Sequence, residues 1–263
     1  MISISSVQID AWIAAFLWPF LRISALMMSE PLLSNRAIPV RVRIGFSLML
    51  AILVASTIPA PPPVELASAT GLLVAAQQII IGLMMGFSMR LLMASIEMAG
   101  SLIGLTMGLG FATFYDPQNA AQVPVISQVM GLLAILMFFS INGHLMVISA
   151  LVESFRVLPI SAKPFAADGF QALALAGGQI FVIGLLLSLP VLAALLIVNV
   201  ALGVMSRAAP QLNLFAVGFP LTITAGFAVL LMSLPYLAPY FIRMYEEGVA
   251  MSLKIVGMLA GAH

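Results

Sequence analysis

From Gly169 to Ser206 the chain carries no Asp, Glu, Lys or Arg, and after Arg207 the next charged side chain is Arg243. Uncharged apolar runs of this length cannot be hidden inside a water-soluble fold; they need a lipid solvent or a sheath of other protein. The rest of the chain has the same character. Of its 263 residues, 63% are hydrophobic and 7% charged, where an average soluble domain has roughly half and a quarter.

A helix of about 20 apolar residues crosses a hydrocarbon layer of roughly 30 Å, so the sequence reads as an all-α set of membrane-associated helical hairpins. The expected helices are Val7 to Leu33, Arg43 to Ile58, Leu66 to Leu92, Ala94 to Gly108, Val123 to Val152, Phe170 to Ser206 and Leu212 to Tyr245, with an amphipathic piece from Gly248 to Leu259. The first is expected to be an uncleaved helix rather than a secretory signal, because its n-region has no Lys or Arg and carries Asp10, and Pro19 and Arg22 interrupt the apolar stretch.

Several lengths do not suit plain spans. Arg43 to Ile58 covers only about 24 Å, and Phe170 to Ser206 would run about 54 Å if straight. Pro190 in one arm, and Pro220, Pro235 and Pro239 in the next, are expected kink positions. Ser-Leu-Pro occurs in both arms, at Ser188 to Pro190 and Ser233 to Pro235. A long, proline-bent hairpin of this kind is tolerated at membrane depth where protein or a water-filled cavity covers it, which favours a subunit of a larger body. Arg36, Arg41 and Arg43 crowd one short connection, and the positive-inside rule puts that loop in the cytoplasm and the N-terminus outside.

Composition also excludes chemistry. No cysteine is present, which removes a disulfide framework, a thiolate metal site and a cysteine nucleophile. A net charge of +1 offers no basic surface for nucleic acid. Neither a phosphate-binding glycine loop, nor a His-Glu-x-x-His metal motif, nor a serine nucleophile motif is present. His144 has no second ligand at metal spacing and reads as a helix-start or interfacial histidine. Catalytic, cofactor and metal residues are therefore expected to be none. The 18 methionines read mostly as core filling, with some suited to surfaces that must repack.

Charged residues within apolar segments are costly and so are candidate functional or pairing groups. Arg22, Arg90 and Glu97 are the three clear cases; Arg90 and Glu97 stand two helical turns apart and are expected to meet other helices or subunits, or to snorkel to the interface. The most informative stretch is Gly104-Leu-Thr-Met-Gly-Leu-Gly-Phe-Ala-Thr-Phe-Tyr-Asp-Pro117, with Gln118, Asn119 and Gln122 after it. Glycines end a helix here and Asp116-Pro117 starts a turn. Phe111, Phe114 and Tyr115 are large apolar side chains on a connection, and must pack on a partner, bury in the chain's own core, or fill a pore.

These residues resemble a known family. Phe20-Leu-Arg-Ile-Ser-Ala-Leu-Met with Pro31, Pro39-Val-Arg-Val-Arg43, Gly82 to Arg90, Glu97-Met-Ala-Gly100, the Gly104 to Pro117 stretch and Asn142-Gly-His144 together are similar to the FliR-type subunits of the flagellar export gate, whose injectisome counterparts are the SctT-type proteins. The resemblance covers nearly the whole chain, and its glycine and tyrosine pattern looks flagellar. It implies a core component of the type III export apparatus at the bacterial inner membrane, in the flagellar basal body, with one copy of this chain beside P- and Q-type gate subunits, a B-type export switch protein and unfolded substrates as partners.

The resemblance further implies that residues 1–168 are similar in fold to a P subunit and residues 169–263 to a Q subunit. It implies a plug at Gly108 to Asp116, with Met107, Gly108, Gly110, Phe111, Phe114, Tyr115 and Asp116 as gate residues, Phe111 and Phe114 obstructing the channel. Arg22, Arg90 and Glu97 would then pair between subunits. A narrow apolar constriction resists water and ions by dewetting, and glycines let the loop move aside at small cost. Two other classes remain open at this stage: a stand-alone secondary transporter, and an intramembrane enzyme, for which the polar inventory is sparse.

Overall fold

The computed structural model describes residues 6–35, 37–59, 64–110, 124–209 and 214–261. Among them the chain forms seven helices: α1 (Ser6–Ser29), α2 (Val40–Ala55), α3 (Ala69–Thr106), α4 (Val125–Ser140), α5 (Gly143–Val157), α6 (Asp168–Ala208) and α7 (Leu214–Leu259). Four contain stretches long and apolar enough to cross a membrane, Ala11–Ser29, Ala69–Thr106, Asp168–Ala208 and Ala216–Leu259. The pair α4 and α5, bent by 69°, makes a fifth if counted as one broken span.

Boundaries differ from expectation where a charge was read as a divider. Leu66 to Leu92 and Ala94 to Gly108 are one helix of 38 residues, because Leu91 to Ile96 contains no glycine or proline and an isolated Arg or Glu does not interrupt a backbone ladder. In the same way Leu212 to Tyr245 and the Gly248 to Leu259 piece merge into one helix of 46 residues that carries Glu246 and Glu247. The opposite happens at Val123 to Val152, which is two helices: Asn142 takes a left-handed conformation at φ 56°, a turn that Asn tolerates and that the following Gly143 eases. At 1.5 Å per residue α3, α6 and α7 are about 57, 62 and 69 Å long, far beyond a hydrocarbon layer of roughly 30 Å.

The described residues sort into two compact units, one of residues 1–91, 142–177 and 245–263, the other of residues 92–141 and 178–244. In the first unit α1 meets α3 at Gly82-Leu-Met-Met-Gly86. A Cβ on Gly82 would strike the Arg22 carbonyl and lie 2.8 Å from the Ala25 Cβ; one on Gly86 would strike the Ser29 hydroxyl and sit 2.7 Å from the Glu30 amide. Two glycines four apart let helix backbones approach where any side chain would hold them off. Trp18, Ile23, Leu26, Met85, Phe155 and Val256 are buried in this unit.

In the second unit α3 meets the start of α4 at Gly100, where a Cβ would lie 2.5 Å from the Ser127 Cα. The Ser127 hydroxyl donates to the Glu97 carbonyl at 2.8 Å and shares a 2.8 Å contact with the Ser101 hydroxyl. Of the most apolar window in each helix, 67% is buried in α3 but only 28% in α6 and 22% in α7. The last two therefore leave large apolar faces uncovered.

Candidate functional site

The chain's charged interior begins with Arg22, fully buried on α1. Its Nε donates to the Gln78 side chain at 2.9 Å, Nη1 to the Ser154 hydroxyl at 3.1 Å and Nη2 to the Leu158 carbonyl at 3.0 Å. The guanidinium carbon stands 4.0 Å from the centre of the Phe155 ring. None of these partners is a carboxylate. The charge is balanced by neutral dipoles and a ring face, contacts that gain strength away from water. Arg22 is thus enclosed by this chain's own α1, α3 and α5. The neighbouring Gln77 donates to the Lys163 carbonyl at 2.6 Å, so it ties α3 to the chain that follows α5.

Glu30 is the second interior charge. Its Oε2 accepts from the Leu32 and Leu33 amides at 2.9 and 2.6 Å, and Oε1 is buried with no hydrogen-bond partner among the described residues. Burial pushes its carboxyl up to about 7, against the opposing pull of those two amides and of Arg90. Tyr245 lies within its electrostatic reach. Glu30 therefore titrates near neutral pH. It was not among the expected site residues; it stands one residue past the membrane-length stretch Ala11–Ser29, near the end of the expected helix Val7 to Leu33.

Arg90 and Glu97 are exposed on α3, Arg90 donating to the Ser34 hydroxyl at 3.3 Å. Both remain available to a partner.

The glycine-rich stretch is described as far as Gly110. Residues 107–110 form a turn that closes α3. The Met107 amide donates to Ile103 and the Leu109 amide to Gly104, and Gly108 takes φ +86°, where a side chain would be strained. Met107 is fully buried, its side chain lying against Gly226 of α7. Its carbonyl accepts from the Thr222 hydroxyl at 3.1 Å. The Phe219 ring comes within 2.8 Å of where a Gly108 Cβ would be. Pro124 and Ile126 lie in ordinary contact range of where a Gly104 Cβ would be. Phe111, Phe114, Tyr115 and Asp116 lie outside the described residues. Thr222, Phe219, Gly226 and Ser127 carry no motif; only folding brings them to the C-terminal part of α3.

No group of His, Asp or Glu suited to hold a metal ion occurs among the described residues. The comparisons with known proteins agree with an export role. The family described as bacterial export proteins, family 1, matches residues 13–248. Flagellar biosynthetic protein FliR of Escherichia coli K12 is 42% identical over 247 residues, 94% of each chain.

The chain belongs to the FliR family.

FliR of Pectobacterium carotovorum is likewise 42% identical, over 262 residues and the full length of both chains, and FliR of Bacillus subtilis 37% identical over 221 residues, 83% of this chain and 85% of its own. Membership of the FliR family makes this chain a multi-pass membrane component of the flagellar export apparatus.

Proposed function

We propose that this chain is a core subunit of the flagellar protein export gate, present in one copy beside P- and Q-type subunits in the inner membrane at the basal body, and that its segment 108–116 plugs the channel they share. Unfolded export substrates pass through that channel and a B-type switch protein acts on the assembly. Residues 1–168 serve as the P-like part and residues 169–263 as the Q-like hairpin. Arg90 and Glu97, exposed charges on a helix otherwise rich in apolar side chains, pair with neighbouring subunits.

The observation that supports the plug is the anchored turn at residues 107–110, where Met107 is buried against Gly226 and its carbonyl accepts from the Thr222 hydroxyl at 3.1 Å. Phe111, Phe114 and Tyr115 follow that turn in the sequence. Apolar groups crowded into a narrow pore exclude water and ions. The uncovered faces of α6 and α7, with Leu186, Ile197, Val204, Leu231, Met232 and Tyr236 exposed, supply the surface that sister subunits sheath.

Deleting Leu109 to Phe114 should leave the gate assembled and raise its ion conductance in planar bilayers. An assembled deletion gate as tight as wild type would remove the plug role.

A further inference from the structure

We propose that Glu30 is a proton-binding site that controls Arg90: with the carboxyl protonated, Arg90 is free to reach a neighbouring subunit, and with it ionised, Arg90 is drawn back to its own chain. The inference rests on the reading that Arg90 pairs between subunits and deepens it, by giving that contact a control.

The geometry begins on one face of α3. Gly82, Gly86 and Arg90 follow one another at intervals of four residues, which puts them on the same side of the helix. Gly86 presses on the end of α1: a Cβ there would strike the Ser29 hydroxyl and sit 2.7 Å from the Glu30 amide. An approach that close shuts water out from this side, and Glu30 is fully buried. Its Oε2 accepts from the Leu32 and Leu33 amides, while Oε1 has no partner among the described residues. An ionised carboxylate offers about four acceptor sites, so with two of them met the charge is poorly solvated here. The unbonded Oε1 is where a proton from solvent adds, because a buried carboxyl is easier to keep neutral than charged.

That charge has a cation at hand. One turn beyond Gly86, the exposed Arg90 donates to the Ser34 hydroxyl at 3.3 Å, and the Ser34 amide donates to the Glu30 carbonyl at 2.9 Å. Arg90 thus stands at the turn that Glu30 begins, with no carboxylate bonded to it among the described residues. Its field acts on the Glu30 carboxyl, and Tyr245 of α7 is the other titratable group in reach. Arg43 of α2 is engaged on the Asn35 and Ile38 carbonyls. Burial pushes the carboxyl up to about 7. Below that value the proton is bound and Arg90 is released; above it the negative charge returns and attracts Arg90.

The test uses the complete gate, this chain purified with its P- and Q-type partners, and reads by native mass spectrometry the fraction dissociated at about pH 6 and at about pH 8, on either side of the titration. Wild type should dissociate several-fold more at the higher pH. Glu30→Gln keeps an acceptor for the two amides and carries no charge, so it should stay at the low level at both. Arg90→Gln has no cation to hold or release and should sit at the high level at both, while Arg90→Lys should restore the dependence on pH. If Glu30→Gln gates do not form, Arg90→Gln and Arg90→Lys decide. A wild-type gate indifferent to pH, or a dependence that survives Glu30→Gln or Arg90→Gln, overturns the control; an Arg90→Gln gate weak at both values would still leave the pairing of Arg90 standing. An Arg90→Gln gate as firm as wild type at about pH 6 overturns that pairing, and the control with it.

Discussion

Arg22 is a full charge held at zero exposure, with no carboxylate bonded to it among the described residues. Such a group is tolerable only while every donor is met, since one unmet hydrogen bond in a low-dielectric interior costs about 1 to 3 kcal/mol. Arg22→Ala strands Gln78, Ser154 and the Leu158 carbonyl and opens a cavity, so it should destabilise the fold by roughly 3 to 5 kcal/mol, read as a fall in denaturation midpoint in detergent. Arg22→Lys should lose most of this too, because an ammonium cannot reach three separated acceptors in a planar fork. Glu30 acts with the opposite sign to the usual carboxylate. Its pKa is raised in the fold from 4.5 to about 7, so the folded state binds the proton more tightly. The stability tied to that proton is whole below the ordinary carboxylate range and is lost as pH climbs through about 7. Melting temperature should therefore decline from mildly acidic to neutral pH, and Glu30→Gln should flatten the decline; an unchanged slope in that variant would show that other groups set it.

At the scale of elements, close approach rather than propensity decides the packing. Gly82, Gly86 and Gly100 each stand where a Cβ would overlap backbone or a short side chain of the facing helix, and backbone cannot yield as the far end of a long side chain can. Gly82→Val should therefore separate α1 from α3 and cost several kcal/mol by overpacking, seen as loss of the protein from membranes on expression. The same substitution at Gly131, which has nothing within 4 Å of its Cβ position, should be tolerated within about 0.5 kcal/mol. The length of the uncharged apolar runs revealed that these helices exist, and the Asn-Gly of Asn142-Gly143 contained the break between α4 and α5. The continuity of α3 through Arg90 and Glu97 was hidden, because a charge on an exposed helix face looks the same in sequence as a charge at a helix end.

For the whole molecule the decisive quantity is how much apolar surface stays open. Helices α6 and α7 exceed a bilayer in length and bury about a quarter of their most apolar windows, a surface that water would not tolerate. Expressed alone, the chain should aggregate or associate irregularly in mild detergent. Co-expressed with its gate partners it should purify as a single large complex, which size-exclusion chromatography with light scattering would distinguish. A monodisperse solitary chain would contradict the subunit role.

Sequence alone determined what needs only composition and local chemistry: an all-helical membrane chain, no thiol chemistry, a stretch rich in glycine and aromatic residues, and membership of the FliR family through motifs spread along its length. It also flagged Arg22 as costly, since a charge in an apolar run is visible without coordinates. Only the tertiary structure decided where that cost is met, on Gln78, Ser154, Leu158 and Phe155, which are 56 residues and more away. It likewise made Glu30 a neutral-range acid and set Thr222 on Met107. Those outcomes depend on distance and burial among residues far apart in the chain, and neither quantity has a local signature in the order of amino acids.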